Sequence, residues 1–350
     1  RKEAERFTLP SQLKQGYVLV PSRARLVTLT ALLRGYAKRD SKCKIVVFMS
    51  SCDGVEFHYK ALIQYLLGDG GEPLVPCKVF KLHGNMEQME RTSSFLSFSQ
   101  AEQGILVCSD VAARGLDFPG VSTIVQFDPP GEPAEYVHRV GRTARMGREG
   151  DSVLFLLPHE REYIGLLDQK GVVVKGMPLL RILDDLPDPN LRYRPGAARK
   201  RDFRAGDDDD GGDMDSKAEQ HVAAVEAGLA VERLVANDKK AQKLAADAFR
   251  SYVRAMAAYP KAIKHIFHVK KLHLGHVARS FALRDPPTMI GQSSSKKHKQ
   301  DKMALKKGGL GGKGGKLHGL GKKVRDGQRV KGTEQKRMLT KARQLEREQD

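Results

Sequence analysis

GILVCSDVAARGLD, residues 104–117, is an apolar run that stops on two helix-capping residues and continues with a glycine. The first half, GILVCSD (104–110), reads as a strand buried on both faces. Ser109 and Asp110 are good N-cap residues, so a helix or turn should start there. Backbone N–H groups after such a cap can hold a phosphate. Gly115 permits close backbone approach, and Asp117 could accept a ribose hydroxyl. Taken alone, the stretch reads better as an ordinary capped strand–helix turn.

The same rhythm repeats outward from it. Further strands are predicted at YVLV (17–20), KIVVFMS (44–50), KVFKLHG (78–84), VSTIVQFD (121–128) and DSVLFLLP (151–158). Helix-like stretches lie between them, such as VEFHYKALIQYLL (55–67) and MEQMERTSSFLSF (86–98). Continuous β-branched runs alternating with helices predict an α/β fold with a parallel sheet covered on both faces. Ligands of such sheets bind beyond the carboxyl ends of the strands.

A second basic cluster follows the turn DPPGEP (128–133). In HRVGRTARMGREG (138–150), Arg139, Arg142, Arg145 and Arg148 recur every third residue, with no acid among them before Glu149. Like charges at helical spacing repel by about 0.2–0.5 kcal/mol per pair. Spacing alone leaves open a solvated basic face or a set of guanidinium groups aimed at phosphate. The position after a strand and its turn favours phosphate.

Beyond the sheet the composition changes. PDPNLRYRPGAARKRDF (187–203) and DDDDGGDMD (207–215) have no apolar period and read as a mobile linker. VAAVEAGLAVERLV (222–235) and KKAQKLAADAFRSYVRAMAAY (239–259) return to helical spacing, interrupted by Pro260. AIKHIFHVKKLHLGHVARSFAL (262–283) reads as a further helical stretch, apolar on one stripe and basic on the other. Residues 292–350 carry eighteen Lys and Arg against six Asp and Glu, so +12 of the net +19 lies there. Such a Lys/Gly-rich tail should stay disordered until it meets a polyanion. The five segments are then 1–16, 17–186, 187–215, 216–291 and 292–350.

The charge makes nucleic acid the expected partner. Cys43, Cys52, Cys77 and Cys108 lie at no metal-ligand spacing and read as small buried hydrophobes in a reducing compartment. His265, His268, His273 and His276 have no cysteine nearby, so packing or RNA contact is favoured over metal, and no metal site is expected. No apolar run reaches the ~18 residues of a membrane span. The chain opens on Arg1 rather than Met, so a longer parent protein is expected.

With these segments in view, the chain resembles the C-terminal RecA-like lobe of DEAD-box RNA helicases. VVFMSS (46–51) resembles motif IV of that family, and HGNMEQMER (83–91) resembles a segment that contacts RNA. SDVAARGLD (109–117) resembles motif V, and HRVGRTAR (138–145) resembles motif VI. Four motifs in this order are far more specific than any one of them. The resemblance implies a RecA-like lobe at 17–186, preceded by an interlobe linker at 1–16 and followed by a helical extension and a basic tail.

It also implies roles. Arg142 and Arg145 would reach the γ-phosphate of ATP across the interlobe cleft, and His138 would couple the nucleotide site to the other lobe. Gly115 and Asp117 would hold the nucleotide with them, Asp117 on the ribose. Gln88, Arg91, Ser109, Asp110 and Arg114 would face the RNA backbone. Ser109 stands where the family more often has Thr, and a hydroxyl remains. The GxxxxGK[ST], DEAD and SAT motifs are absent from these 350 residues. ATP with Mg²⁺ would therefore be held mainly by a first lobe, and the chain alone should hydrolyse no ATP.

AYP (258–260) and KHIFHVKKLHLGHVARSFALRDPP (264–287), together with SSCDGVEFHYKALIQ (50–64), resemble a nucleolar subgroup acting in large ribosomal subunit biogenesis. That implies pre-ribosomal RNA and pre-ribosomal particle proteins as partners, a monomer with no membrane contact, and a location in the nucleus and nucleolus. The alternative is a non-catalytic RNA-binding module anchored to ribosomal RNA by its basic tail.

Overall fold

The computed structural model describes residues 6–64, 66–67, 72–110, 116–144, 148–187 and 221–288. The expected parallel sheet is present. Its strands are β1 (Leu13–Leu19), β2 (Lys44–Met49), β5 (Val79–Leu82), β6 (Gly104–Ser109), β7 (Thr123–Gln126), β8 (Gly150–Leu156) and β9 (Lys175–Gly176). A separate short hairpin pairs β3 (Leu66–Leu67) with β4 (Glu72–Pro73). The main sheet runs β5-β6-β2-β7-β8-β1-β9, with every pairing parallel. Every residue of β2, β6 and β7 is buried, as a sheet covered on both faces requires.

Side chains alternate between two cores along each central strand. Val46, Phe48, Leu106, Cys108 and Ile124 point to one face, where Phe98 and Phe118 cover them. Ile45, Val47, Met49, Ile105, Val107 and Val125 point to the other, larger core. On the first face, Phe98 comes from α3 (Gln88–Gln100). The second face holds α1 (Arg25–Arg39) and α2 (Cys52–Gln64). Next come α4 (Pro133–Val140), α5 (Glu162–Gln169) and α6 (Leu179–Leu183). Helix α1 was not singled out in the sequence, for a physical reason. It buries Thr28, Thr30, Arg25 and Arg34 along with its apolar residues, which erases the polar stripe. Arg34 Nη1 donates to the carbonyls of Pro73 (2.6 Å) and Leu74 (3.1 Å).

The C-terminal helices α7 (Val222–Asn237) and α8 (Lys239–Ala257) form where their spacing predicts. They share the larger core with the sheet, and the described residues make one compact unit. Helix α8 lies along α2, and Ser251 Oγ donates to Ser51 Oγ at 3.2 Å. Phe281 closes the seam against Phe57, His58, Phe249 and Tyr252. The stretch 262–283 is not one amphipathic helix. It breaks into 3-10 turns at Lys261–Ile263 and Val269–Lys271 and a short α9 (Leu274–Ser280). The cause is local. His268 accepts from the Lys270 amide and His273 from the His276 amide, so each histidine starts a new turn.

Cys43 and Cys108 are buried, Cys52 and Cys77 half-buried. Burial pushes the Cys43 thiol up to about 11 and Cys77 to about 12. These two are inert packing groups near neutral pH. Among the described residues no helix is long and apolar enough to cross a membrane, and no three metal-binding side chains converge.

After β8, the turn Pro158–Glu160 buries Glu160, whose Oε2 accepts from the Leu157 amide at 2.8 Å. Burial is the main force raising this carboxyl to about 7, helped by Asp128 and opposed by the Leu157 amide and Arg25. A raised folded pKa contributes stability below the unfolded value of 4.5 that is lost as pH climbs to about 7. The loss amounts to about 3 kcal/mol. Glu160→Gln should therefore stabilise the chain, relative to wild type, by about 3 kcal/mol more at pH 8 than at pH 4.5. Urea unfolding at the two pH values checks this, and a difference independent of pH would contradict it.

Candidate functional site

The carboxyl ends of β5, β6, β2 and β7 lie side by side. Met49 stands opposite Ser109, Phe48 opposite both Cys108 and Gln126, and Leu82 opposite Cys108. The segments that follow these strands therefore meet on one edge. They are Ser50–Ser51, His83 onward, Asp110 and Phe127–Pro130.

Arg139, on α4, ties three of these ends together. It grips the Asp110 carboxylate with both arms, Nε to Oδ1 at 2.7 Å and Nη2 to Oδ2 at 2.5 Å. Its Nη1 donates to the Asp128 carbonyl at 2.7 Å, and the guanidinium lies over the Phe48 ring. Arg139 is buried. Burial works against its charge, but Asp110 more than offsets this and raises its pKa. The first arginine of the row is thus an internal clamp, and the Asp110 carboxylate is its counterpart. Neither role is visible in the three-residue spacing.

Arg142 differs. It follows α4 in a tight turn, is half-buried, and donates through Nη1 to the Leu116 carbonyl at 3.0 Å. Asp117, the next residue, is exposed. The segment that began as SDVAARGLD and the arginine row are therefore joined side by side. The turn carrying Arg142 is fixed. Thr143 Oγ1 donates to the Val121 carbonyl at 2.7 Å, and Ala144 adopts φ 54°, a left-handed conformation uncommon for a residue with a side chain. At Gly150 a Cβ would lie 2.5 Å from Thr143 Oγ1, so only glycine fits under this turn.

His138 is exposed on α4. Ser109 ends β6 buried, and its Oγ has no hydrogen-bond partner among the described residues. Gln88 is exposed in the first turn of α3 and accepts from Arg91 Nη1 at 3.4 Å. Arg114, Gly115 and Arg145 lie outside the described residues.

A second group was missed in the sequence. Asp128, in the Pro/Gly turn, is buried and accepts from Arg25 Nη2 at 2.6 Å and from the Ser50 amide and hydroxyl, both at 2.8 Å. Burial raises its pKa, but Arg25 and Ser50 outweigh that and hold the carboxyl below its usual range. The next two carbonyls are held by tyrosines, Pro129 by Tyr259 at 2.5 Å and Pro130 by Tyr163 at 3.3 Å. No local signal marks Asp128, because Arg25 is 103 residues away in sequence.

Residues 24–147 match the family described as helicase conserved C-terminal domain. Residues 238–289 match the C-terminal extension of ATP-dependent rRNA helicases of the SPB4-like kind. The chain thus carries a helicase C-terminal domain followed by an SPB4-like extension, and it is similar to DEAD-box helicases. It is 42% identical over 308 residues to DEAD-box ATP-dependent RNA helicase 17 of Oryza sativa subsp. japonica, covering 86% of this chain and 49% of that protein. It is 40% identical to the ATP-dependent DNA helicase DDX31 of Homo sapiens, over 84% of this chain and 34% of that one. It is also 37% identical to the ATP-dependent RNA helicase dbp7 of Schizosaccharomyces pombe, over 83% of this chain and 42% of that one.

The chain spans half or less of the length of these relatives. Its fold is shared with domain 2 of the DEAD-box helicase Mss116p bound to an RNA duplex. That likeness has TM-score 0.53 and 24% identity, over 84% of this chain and 94% of that one. Mss116p bound to ssRNA and AMP-PNP gives TM-score 0.56 and 24% identity, over 85% and 48%. At that identity the likeness carries the fold alone: a RecA-like lobe with a helical extension.

Proposed function

We propose that this chain is the part of an ATP-driven RNA helicase that completes the nucleotide site from one side of a cleft, and that the whole protein remodels pre-ribosomal RNA during large-subunit assembly. The observation that carries the reading is Arg142 seated on the Leu116 carbonyl beside Asp117, at the carboxyl edge of a parallel sheet. That edge is where such sheets bind ligands. Arg142, with Arg145, supplies fixed positive charge to the γ-phosphate as the transferred group separates. Asp117 takes the ribose, with Gly115 beside it, and His138 couples this edge to the other lobe. Arg139 and Asp110 hold β6 and α4 in place. Gln88, Arg91, Ser109 and Arg114 face the RNA backbone, and the Ser109 hydroxyl has a hydrogen bond to give. Asp110 sits among them with its carboxylate already engaged.

ATP with Mg²⁺ is held mainly by the ATP-binding lobe, whose motifs these 350 residues lack. RNA is the partner along this edge, read through its backbone, so target choice falls to the extension, the tail and pre-ribosomal proteins. The rRNA named in the description of the matched extension supports ribosomal RNA as the target. The nucleus and nucleolus follow as its location.

The isolated 350-residue chain should bind RNA and hydrolyse no ATP, with or without that RNA. Phosphate release measured across an RNA titration tests this. RNA-stimulated turnover by the chain alone would refute the division of labour.

A further inference from the structure

The turn that leads into α4 is gripped at four consecutive residues. Arg139 holds the Asp128 carbonyl at 2.7 Å. Tyr259 holds the Pro129 carbonyl at 2.5 Å and Tyr163 the Pro130 carbonyl at 3.3 Å. Pro260 packs on Gly131, where a Cβ would come within 3.5 Å of its ring. Two of these four grips, Tyr259 and Pro260, come from the extension.

The two tyrosines do not act separately. Phe267, buried in the extension, stacks on the Tyr259 ring at 4.5 Å between centroids and 17° between planes. It also meets the Tyr163 ring at 5.1 Å, near edge-on. One apolar ring therefore sets both phenols, and both phenols set the turn. Glu132 follows and N-caps α4 without a side-chain bond of its own, and Glu135 in the first turn of the helix accepts from the Gly131 amide at 3.1 Å, so the helix start is tied directly to the turn. At its far end are Arg139 and Arg142, and Arg142 reaches the Leu116 carbonyl.

We propose that Tyr259 is a positioning residue through which the extension sets the arginine-bearing helix. Its hydroxyl fixes the Pro129 carbonyl, the turn fixes the start of α4, and α4 fixes where Arg142 stands relative to Leu116 and Asp117. The extension thus governs the nucleotide-facing edge from the outside. This rests on reading Arg142 as a phosphate-facing residue. The test below needs no nucleotide, so it fails or succeeds separately from that reading.

The experiment compares the full chain with Tyr259→Phe and with Phe267→Leu. The readouts are the arginine Nε–H NMR signals of Arg139 and Arg142 and amide hydrogen exchange over residues 133–143. Tyr259→Phe removes one hydroxyl. It should shift both arginine signals and speed exchange in 133–143 about fivefold, as expected for one lost hydrogen bond. Exchange in β2 and β6 should stay as in wild type. Phe267→Leu keeps the hydroxyl but loses the ring that orients it, and should move the same signals in the same direction. Unchanged arginine signals and exchange in both variants would overturn the proposal. So would a uniform rise in exchange across the sheet, which would make Tyr259 a packing residue only.

Discussion

Asp128→Ala is expected to cost about 3–5 kcal/mol of folding stability, the penalty for stranding one partner of a buried ion pair. The stranded group is Arg25. Its side chain is 4% exposed and that of Asp128 8%, so water cannot replace the lost carboxylate. Arg25 lies over the Phe127 ring at 4.2 Å and the Tyr252 ring at 4.9 Å. Its remaining hydrogen bond runs to the Phe127 carbonyl at 2.5 Å. The Ser50 amide and hydroxyl would lose their acceptor as well. With a typical total of about 5–15 kcal/mol, the loss would bring much of the chain to the edge of unfolding at room temperature. The exposed pair Lys14–Glu149 is nearly as short at 2.8 Å, yet cutting it should leave the unfolding midpoint where it is. Guanidinium unfolding followed by circular dichroism compares the two. Equal midpoints for Asp128→Ala and wild type would remove the pair from its central place.

Arg142→Ala should act on chemistry rather than on folding. In a protein that also carries an ATP-binding lobe, it should lower RNA-stimulated ATP turnover by roughly 10²–10³-fold, the effect of removing one preorganised charge from a transition state. RNA affinity should fall only modestly, because the residues proposed to face RNA lie on other segments. Stability should barely change, because Arg142 is half-buried and its interaction is a hydrogen bond to the Leu116 carbonyl. Arg139→Ala is the contrasting case. It should unfold or loosen the edge, since it leaves Asp110 and the Asp128 carbonyl without their donor. Steady-state rates and melting temperatures for the two variants separate these outcomes. Unchanged turnover in Arg142→Ala would withdraw its role.

These contrasts show what a sequence can and cannot carry. The strands at 104–109 and 44–49 were legible because burial on both faces leaves a continuous apolar run. Helix α1 was not, because its buried Arg25 and Arg34 look like surface residues until their partners appear. The extension at 262–283 reads as a helix by spacing, yet His268 and His273 cap new turns within it, and a period cannot register a cap. In the arginine row, spacing treats Arg139 and Arg142 alike. Only the fold separates the clamp on Asp110, 29 residues away, from the residue that rests beside Asp117. The described motif residues fall at or near the carboxyl edge of the sheet. The contacts that make that edge rigid are long-range and have no local pattern.

The central claim is that this chain supplies one side of a divided ATP site. The direct measurement joins it to the portion of the Oryza sativa relative that it does not match, and follows phosphate release with and without RNA. The account predicts RNA-stimulated turnover by the joined protein and none by either part alone. A joined protein that folds and binds RNA but releases no phosphate would contradict it, and would leave a lobe that only binds.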